Sequence, residues 1–108
     1  MKFEIFQSES NQKYYFRLKA RNGQVVLSGN PHASVEAVKA SIEAVKERSK
    51  DAANFKTNAT ATGKFTFSLR SSENKSLGNS QSYKSEKSMK NGIGAVARAA
   101  DGATTVEV

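Results

Sequence analysis

Hydrophobic and polar residues along this chain follow two alternating rhythms, and each rhythm occurs twice. Tyr14, Phe16, Leu18 and Ala20 alternate with Lys13, Tyr15, Arg17 and Lys19, the period of two that marks a half-buried strand. Arg21-Asn22-Gly23-Gln24 predicts a tight turn, because Asn-Gly supplies the positive φ a hairpin needs. Val25-Val26-Leu27 is then the returning strand. Upstream, Phe3-Glu4-Ile5-Phe6 reads as a strand ended by the polar run Gln7–Gln12, and Gly29-Asn30-Pro31 stops the sheet. Ser34 is placed to cap a helix by accepting a free N–H of the first turn. Val35, Val38, Ile42 and Val45 follow at helical spacing, with Glu36, Lys39, Glu43 and Lys46 outside. Lys39 with Glu43 and Glu43 with Lys46 are helix-spaced ion pairs, each contributing a few tenths of a kcal/mol, roughly.

The second half repeats the plan. Phe65, Phe67 and Leu69 form its strand, Ser85 is its helix cap, and Met89, Ile93 and Val96 are its helical stripe. An ungapped offset of 51 brings Phe16, Leu18, Ser34, Ile42 and Val45 onto Phe67, Leu69, Ser85, Ile93 and Val96. The same offset sets Tyr14 on Phe65, Lys19 on Arg70 and His32 on Tyr83, and one gap pairs Phe3 with Phe55. Matched positions are mainly those a shared core requires, so the chain reads as a tandem duplication within one domain. Repeat one spans residues 1–53 and repeat two residues 54–108, with SKDAAN (residues 49–54) as the linker. Gly92 and Gly94 fall inside the second helix, where each costs about 1 kcal/mol against Ala; close packing is the usual reason for keeping them. Thr104–Val108 is β-branched and alternating, and predicts a final strand.

YYFRLKARNGQVVLSG, followed by a capped helix, and KNGIGAV in the second copy resemble the YegP-like family over nearly the whole chain, Phe3 to Val108. The resemblance implies an α+β fold of two tandem β3-α-β repeats. They form one antiparallel sheet with two helices packed on one face and pseudo-twofold symmetry. It also implies that the last strands are exchanged between halves. Thr104–Val108 suits the exchanged strand of repeat two, whereas its counterpart would fall near Asn54–Asn58, where repeat two must open. The sequence leaves open which role that segment takes. The chain departs from the family pattern at Ala40-Ser41-Ile42, in place of Asn-Gly-Ile, and at Ser72-Glu73-Asn74-Lys75, in place of the hairpin Asn-Gly. A looser second turn is expected there. The family has no established activity, so the resemblance supplies a fold and no function.

Composition narrows the chemistry. The 108 residues contain no Cys, no Trp and one His, which removes disulfides, thiolate metal sites and cysteine nucleophiles together. No EF-hand-like acidic loop is present, so no cofactor or metal is expected. His32 reads as an amphipathic residue at the junction of sheet and helix rather than a base or ligand. Gly92-Ile93-Gly94 lacks the third glycine of a dinucleotide loop and lies within a helix. There is no nucleophile elbow, and an enzyme is not expected. The N-terminus has no apolar core of the signal-peptide kind, and no run approaches the length of a membrane helix. The expected setting is a soluble, cytoplasmic chain, monomeric by virtue of its internal pseudo-dimer, with strand exchange as the route to a swapped dimer.

The net charge is +7, with nine basic and six acidic residues in 1–54 and eight and four in 55–108. If both helices cover one face of the sheet, the other face is open and carries Lys13, Tyr15, Arg17 and Lys19, with Lys64 and Arg70 from the second half. Interleaved cations and an aromatic are how single-stranded nucleic acid is held, by phosphate contact and base stacking. Tyr15 is unaccompanied in that pattern, since Thr66 takes the matching place. The plain alternative is a solvated basic face whose lysines prevent aggregation. A partner of another class is a protein whose strand adds to a sheet edge.

Overall fold

The computed structural model describes residues 1–108. Its first half comprises β1 (Lys2–Gln7), β2 (Tyr14–Lys19), β3 (Val25–Gly29) and α1 (Val35–Arg48). A single 3₁₀ turn at Ala52–Asn54 leads to β4 (Phe55–Ala59), β5 (Phe65–Arg70), β6 (Ser76–Asn79), α2 (Glu86–Ala100) and β7 (Thr104–Glu107). The fold is α+β: one seven-stranded sheet in the order β4-β5-β6-β3-β2-β1-β7, with two helices on one face. Neighbouring strands are antiparallel except β1 and β7, whose parallel pairing makes the sheet mixed.

Both helices start as their caps dictate. Ser34 Oγ accepts from Ala37 N at 3.2 Å, and Ser85 Oγ accepts from Ser88 N at 3.1 Å. The expected ion pair Lys46–Glu43 forms at 3.7 Å on the exposed side of α1, while Lys39 makes none. Phe3, Ile5, Phe16, Leu18 and Leu27 meet Phe67, Leu69, Val38, Ile42, Val45, Met89 and Val96 in one continuous core. The two halves join through β3 and β6, which pair Ser28 with Asn79 and Gly29 with Gly78. Gly78 makes room for a single side chain there: a Cβ on it would come within 2.9 Å of the Leu27 side chain.

Duplication shows in details as well as in outline. A register shift interrupts β2–β3 at Leu18/Lys19 and β5–β6 at Leu69/Arg70, the same place in each copy. The second hairpin turn is not loose. Asn74 takes a φ of +62° where Gly23 has +84°, and both turns close with the same hydrogen bonds. Asn is the residue besides Gly that tolerates this region best.

One substitution pair accounts for Gly92. In the first half His32 bridges to Tyr14, and its Nε2 lies 3.1 Å from Ser41 Oγ on α1. In the second half the larger Tyr83 bridges to Phe65, stacks on Phe67 and reaches into the place Ser41 fills. A Cβ on Gly92 would lie 2.3 Å from the Tyr83 hydroxyl. Gly94 meets only the flexible end of Arg98, at 3.1 Å. The two glycines should therefore respond oppositely to alanine in urea denaturation. Gly92→Ala should lose about 1–3 kcal/mol by overpacking, and Gly94→Ala should gain up to about 1 kcal/mol from helix propensity.

Of the two roles that the sequence leaves open, Asn54–Asn58 takes the opening of repeat two. Reached from α1 through the 3₁₀ turn, it forms β4 and pairs with β5, so the fold holds no final strand of the first copy exchanged onto the second. At the other end, β7 crosses to the first half and pairs with β1, with Val108 N donating to Ile5 O at 2.9 Å. The sheet thus ends in β7, laid on β1, at one side and in β4 at the other.

Candidate functional site

The face away from the helices carries the side chains that alternate with the core. On β1 these are Lys2, Glu4 and Phe6, set opposite Lys19, Arg17 and Tyr15 of β2. Glu4 lies at their centre and is only 5% exposed. Its carboxylate accepts from Arg17 Nε at 2.6 Å and pairs with Lys19 and Lys2, each at 3.3 Å. The Arg17 hydrogen bond, helped by Lys19 and Lys2, outweighs burial and pulls the Glu4 pKa from 4.5 down to about 2. Charged hydrogen bonds of this kind are among the stronger ones in proteins.

Aromatic packing fixes the rest of the cluster. The rings of Phe6 and Tyr15 stack with centroids 5.7 Å apart, and the Arg17 guanidinium lies over Phe6 at 4.7 Å. Asn11 Nδ2 donates to the Tyr15 hydroxyl at 2.8 Å. Tyr15 is therefore not alone, as the repeat comparison implied. Its companion comes from the neighbouring strand, and the alternation Lys2-Glu4-Phe6 was the signal for it. These contacts occupy the apolar faces within the cluster, and Arg17 and Lys19 are partly neutralised by Glu4. Lys13 and Lys64 are exposed just ahead of β2 and β5, outside the pairing of this cluster.

The second half presents the same surface with different chemistry. Lys56 stands opposite Ser68, Asn58 opposite Thr66, and Ser68 pairs with Asn79. Position by position, Lys56 replaces Glu4, Ser68 replaces Arg17 and Arg70 replaces Lys19. These side chains border a shallow cleft of about 450 Å³ lined mainly by Lys56, Asn58, Thr66, Ser68, Arg70 and Asn79. Neither Lys56 nor Arg70 enters an ion pair. Arg70 Nε is shut off from solvent with no hydrogen-bond partner, a costly state for a charged donor. Of the six residues expected on this face, the structure brings Tyr15, Arg17 and Lys19 together in one half. It sets Arg70 apart in the other, beside Lys56, which the strand alternation had left unremarked.

No group of three or more His, Cys, Asp or Glu side chains converges to hold a metal, and no helix is long and apolar enough to cross a membrane.

A family model described as a domain of unknown function (DUF1508) matches the chain twice, at residues 9–55 and 61–107. The chain is 36% identical over 106 residues to the "UPF0339 protein in ptx operon 5′region" of Stutzerimonas stutzeri, covering 98% of this chain and 95% of that relative. It is 31% identical over 94 residues to the UPF0339 protein YegP of Escherichia coli K12, covering 87% and 84%. Among solved structures it superposes on the solution structure of E. coli yegP, a protein of unknown function, with a TM-score of 0.92, 26% identity and coverage of 98% and 90%. The UPF0339 protein SO3888 of Shewanella oneidensis gives 0.91, 27%, 98% and 89%.

Proposed function

Since the chain belongs to the DUF1508 family, for which no activity is assigned, its role has to be argued from geometry, and we propose a binding module that takes an extended strand of a partner protein along β4. The observation that carries this reading is the unequal treatment of the two ends of the sheet. β1 and β4 hold corresponding places on β2 and β5, yet only β1 is covered, by β7. Ile5 turns its carbonyl outward to meet Val108 N, and Thr57 is its counterpart on β4. An incoming strand would find those groups free, as in recognition by strand addition.

The test uses an eight-residue peptide with the sequence of residues 101–108, titrated into isotopically labelled protein. Amide shifts confined to Phe55–Ala59 and β5, abolished by Thr57→Pro, are the expected outcome. Pro there removes an outward N–H and is tolerated on an edge strand. Shifts that avoid β4, or that survive Thr57→Pro, would overturn the reading. A concentration-dependent dimer joined through β4 would do the same, by making a second copy the occupant.

A second reading belongs to another class, single-stranded nucleic acid on the face formed by Lys13, Tyr15, Arg17, Lys19, Lys64 and Arg70. The Phe6–Tyr15 pair with Arg17 favours it, as a ready aromatic and cationic surface. The enclosed Glu4 counts against it. Anisotropy with labelled single-stranded RNA separates the two, since phosphate binding weakens with salt by a log–log slope of about −0.7 per contact. Loss of salt-resistant binding in a Tyr15→Ala, Arg17→Ala double variant would support this face; equal weak binding in both proteins would remove it.

A further inference from the structure

Pseudo-symmetry sets a carboxylate and a cation at matching points of one surface. In the first half Glu4 neutralises Arg17, Lys19 and Lys2 at distances of 2.6, 3.3 and 3.3 Å. In the second half Lys56 occupies the Glu4 position, Arg70 the Lys19 position, and no acidic side chain pairs with either. Hydroxyl and amide groups of Thr66, Ser68, Asn58 and Asn79 line the cleft around them. The first half contains its own anion, whereas the second has the cations, the hydrogen-bonding groups and the space.

Strand geometry says where the missing anion would come from. β7 lies parallel to β1 with Val106 directly opposite Glu4, and residues paired in register share a face of the sheet. Opposite Glu4 the chain offers an uncharged residue, since that carboxylate is already satisfied. A strand laid on β4 in the same manner sets one residue opposite Lys56, on the outer face and at the mouth of the cleft. We infer that this site takes the carboxylate of an acidic side chain, so that the partner strand on β4 carries Asp or Glu at the position opposite Lys56. The inference rests on the strand-addition reading above and adds the chemistry of its ligand.

Lys56 thereby has two effects at one edge. An exposed lysine on an edge strand discourages indiscriminate pairing, and here it also selects for charge. Arg70 supports it as a second cation lining the same cleft with no acidic partner of its own. A strand with an uncharged residue at that register, as β7 has in Val106, suits the place beside Glu4, and one with a carboxylate there is favoured on β4.

The experiment compares two forms of the 101–108 peptide, one carrying V106E and one V106K, by nuclear magnetic resonance and anisotropy titration against the full chain. Tighter binding of the V106E peptide by about tenfold is expected from reversing a charge beside two cations, with shifts on β4. The preference should vanish or reverse in Lys56→Glu and persist in Lys64→Glu, whose site is an exposed turn residue. Equal affinity of the two peptides with shifts on β4 would overturn the carboxylate site while leaving strand addition intact. Absence of β4 shifts with either peptide would overturn both. A V106E preference that persists in Lys56→Glu would assign the effect to net charge and overturn the site.

Discussion

Replacing Phe16 with alanine should lower the free energy of unfolding by about 3–5 kcal/mol, the usual cost of deleting a buried aromatic ring. Phe16 is 1% exposed, meets Phe3 edge-to-face at 5.8 Å, and lies where a Cβ on Gly29 would come within 2.3 Å of its ring. The chain can relax little around that void, since strands fill one side and helices the other. A domain of this size has a total stability of about 5–15 kcal/mol, so the variant should be close to unfolding at physiological temperature. Loss should still be cooperative, because α1 rests on both β2 and β5 while α2 rests on β5, β2 and β3. Urea titration followed by amide resonances from both halves tests this. One midpoint for all of them is expected, and a first half that unfolds separately would show that the two copies are only tethered.

The second large effect is on acid stability. A carboxyl whose folded pKa lies below its unfolded value stabilises the fold while ionised, so the contribution is full above the ordinary value and lost as pH falls. For Glu4 the window runs from 4.5 down to about 2. Glu4→Gln keeps the shape and removes the charge, leaving Arg17, Lys19 and Lys2 crowded together without their anion. The variant should be clearly less stable than wild type at neutral pH, and the difference should shrink through that window. Thermal midpoints of both proteins from pH 7 to pH 2 provide the measurement. Other carboxylates titrate in both proteins and cancel in the comparison. Parallel curves would show that Glu4 is not held as the geometry indicates.

Periodicity made the elements and core legible because burial acts on each residue separately. Alternation in Tyr14–Lys19 and the spacing of Val38, Ile42 and Val45 specify faces before any partner is known. Caps such as Ser34 and Ser85 are equally local. The aromatic partner of Tyr15 was less visible, since Phe6 reaches it across strands and the repeat alignment compares only equivalent positions. The same limit hid the contrast between Glu4 and Lys56, because the gap that aligns Phe3 with Phe55 must be carried onward to bring them together. Asn54–Asn58 was ambiguous for a physical reason: the final strand of the first copy and the opening strand of the second would both fall on the same stretch of chain, and only the second forms. Choosing between two strands and one depends on chain length between α1 and β5, a tertiary constraint. The face expected from alternation is present, but its charges are not equivalent, and the enclosed anion in one half redirects attention to the other.

The pairing of β7 with β1 joins the two strands farthest apart in chain order. During synthesis β1 to β6 can all leave the ribosome while the outer edge of β1 is still bare, because its cover, β7, is translated after all of them. No local hairpin can substitute for it, since parallel neighbours require a crossover of a dozen residues or more. Until β7 emerges, the nascent chain therefore has bare edges at both β1 and β4. For that interval the edges on offer are those of β1 and β4, open to chaperones or to a neighbouring nascent chain. A C-terminal truncation before Thr104 would make that transient condition permanent.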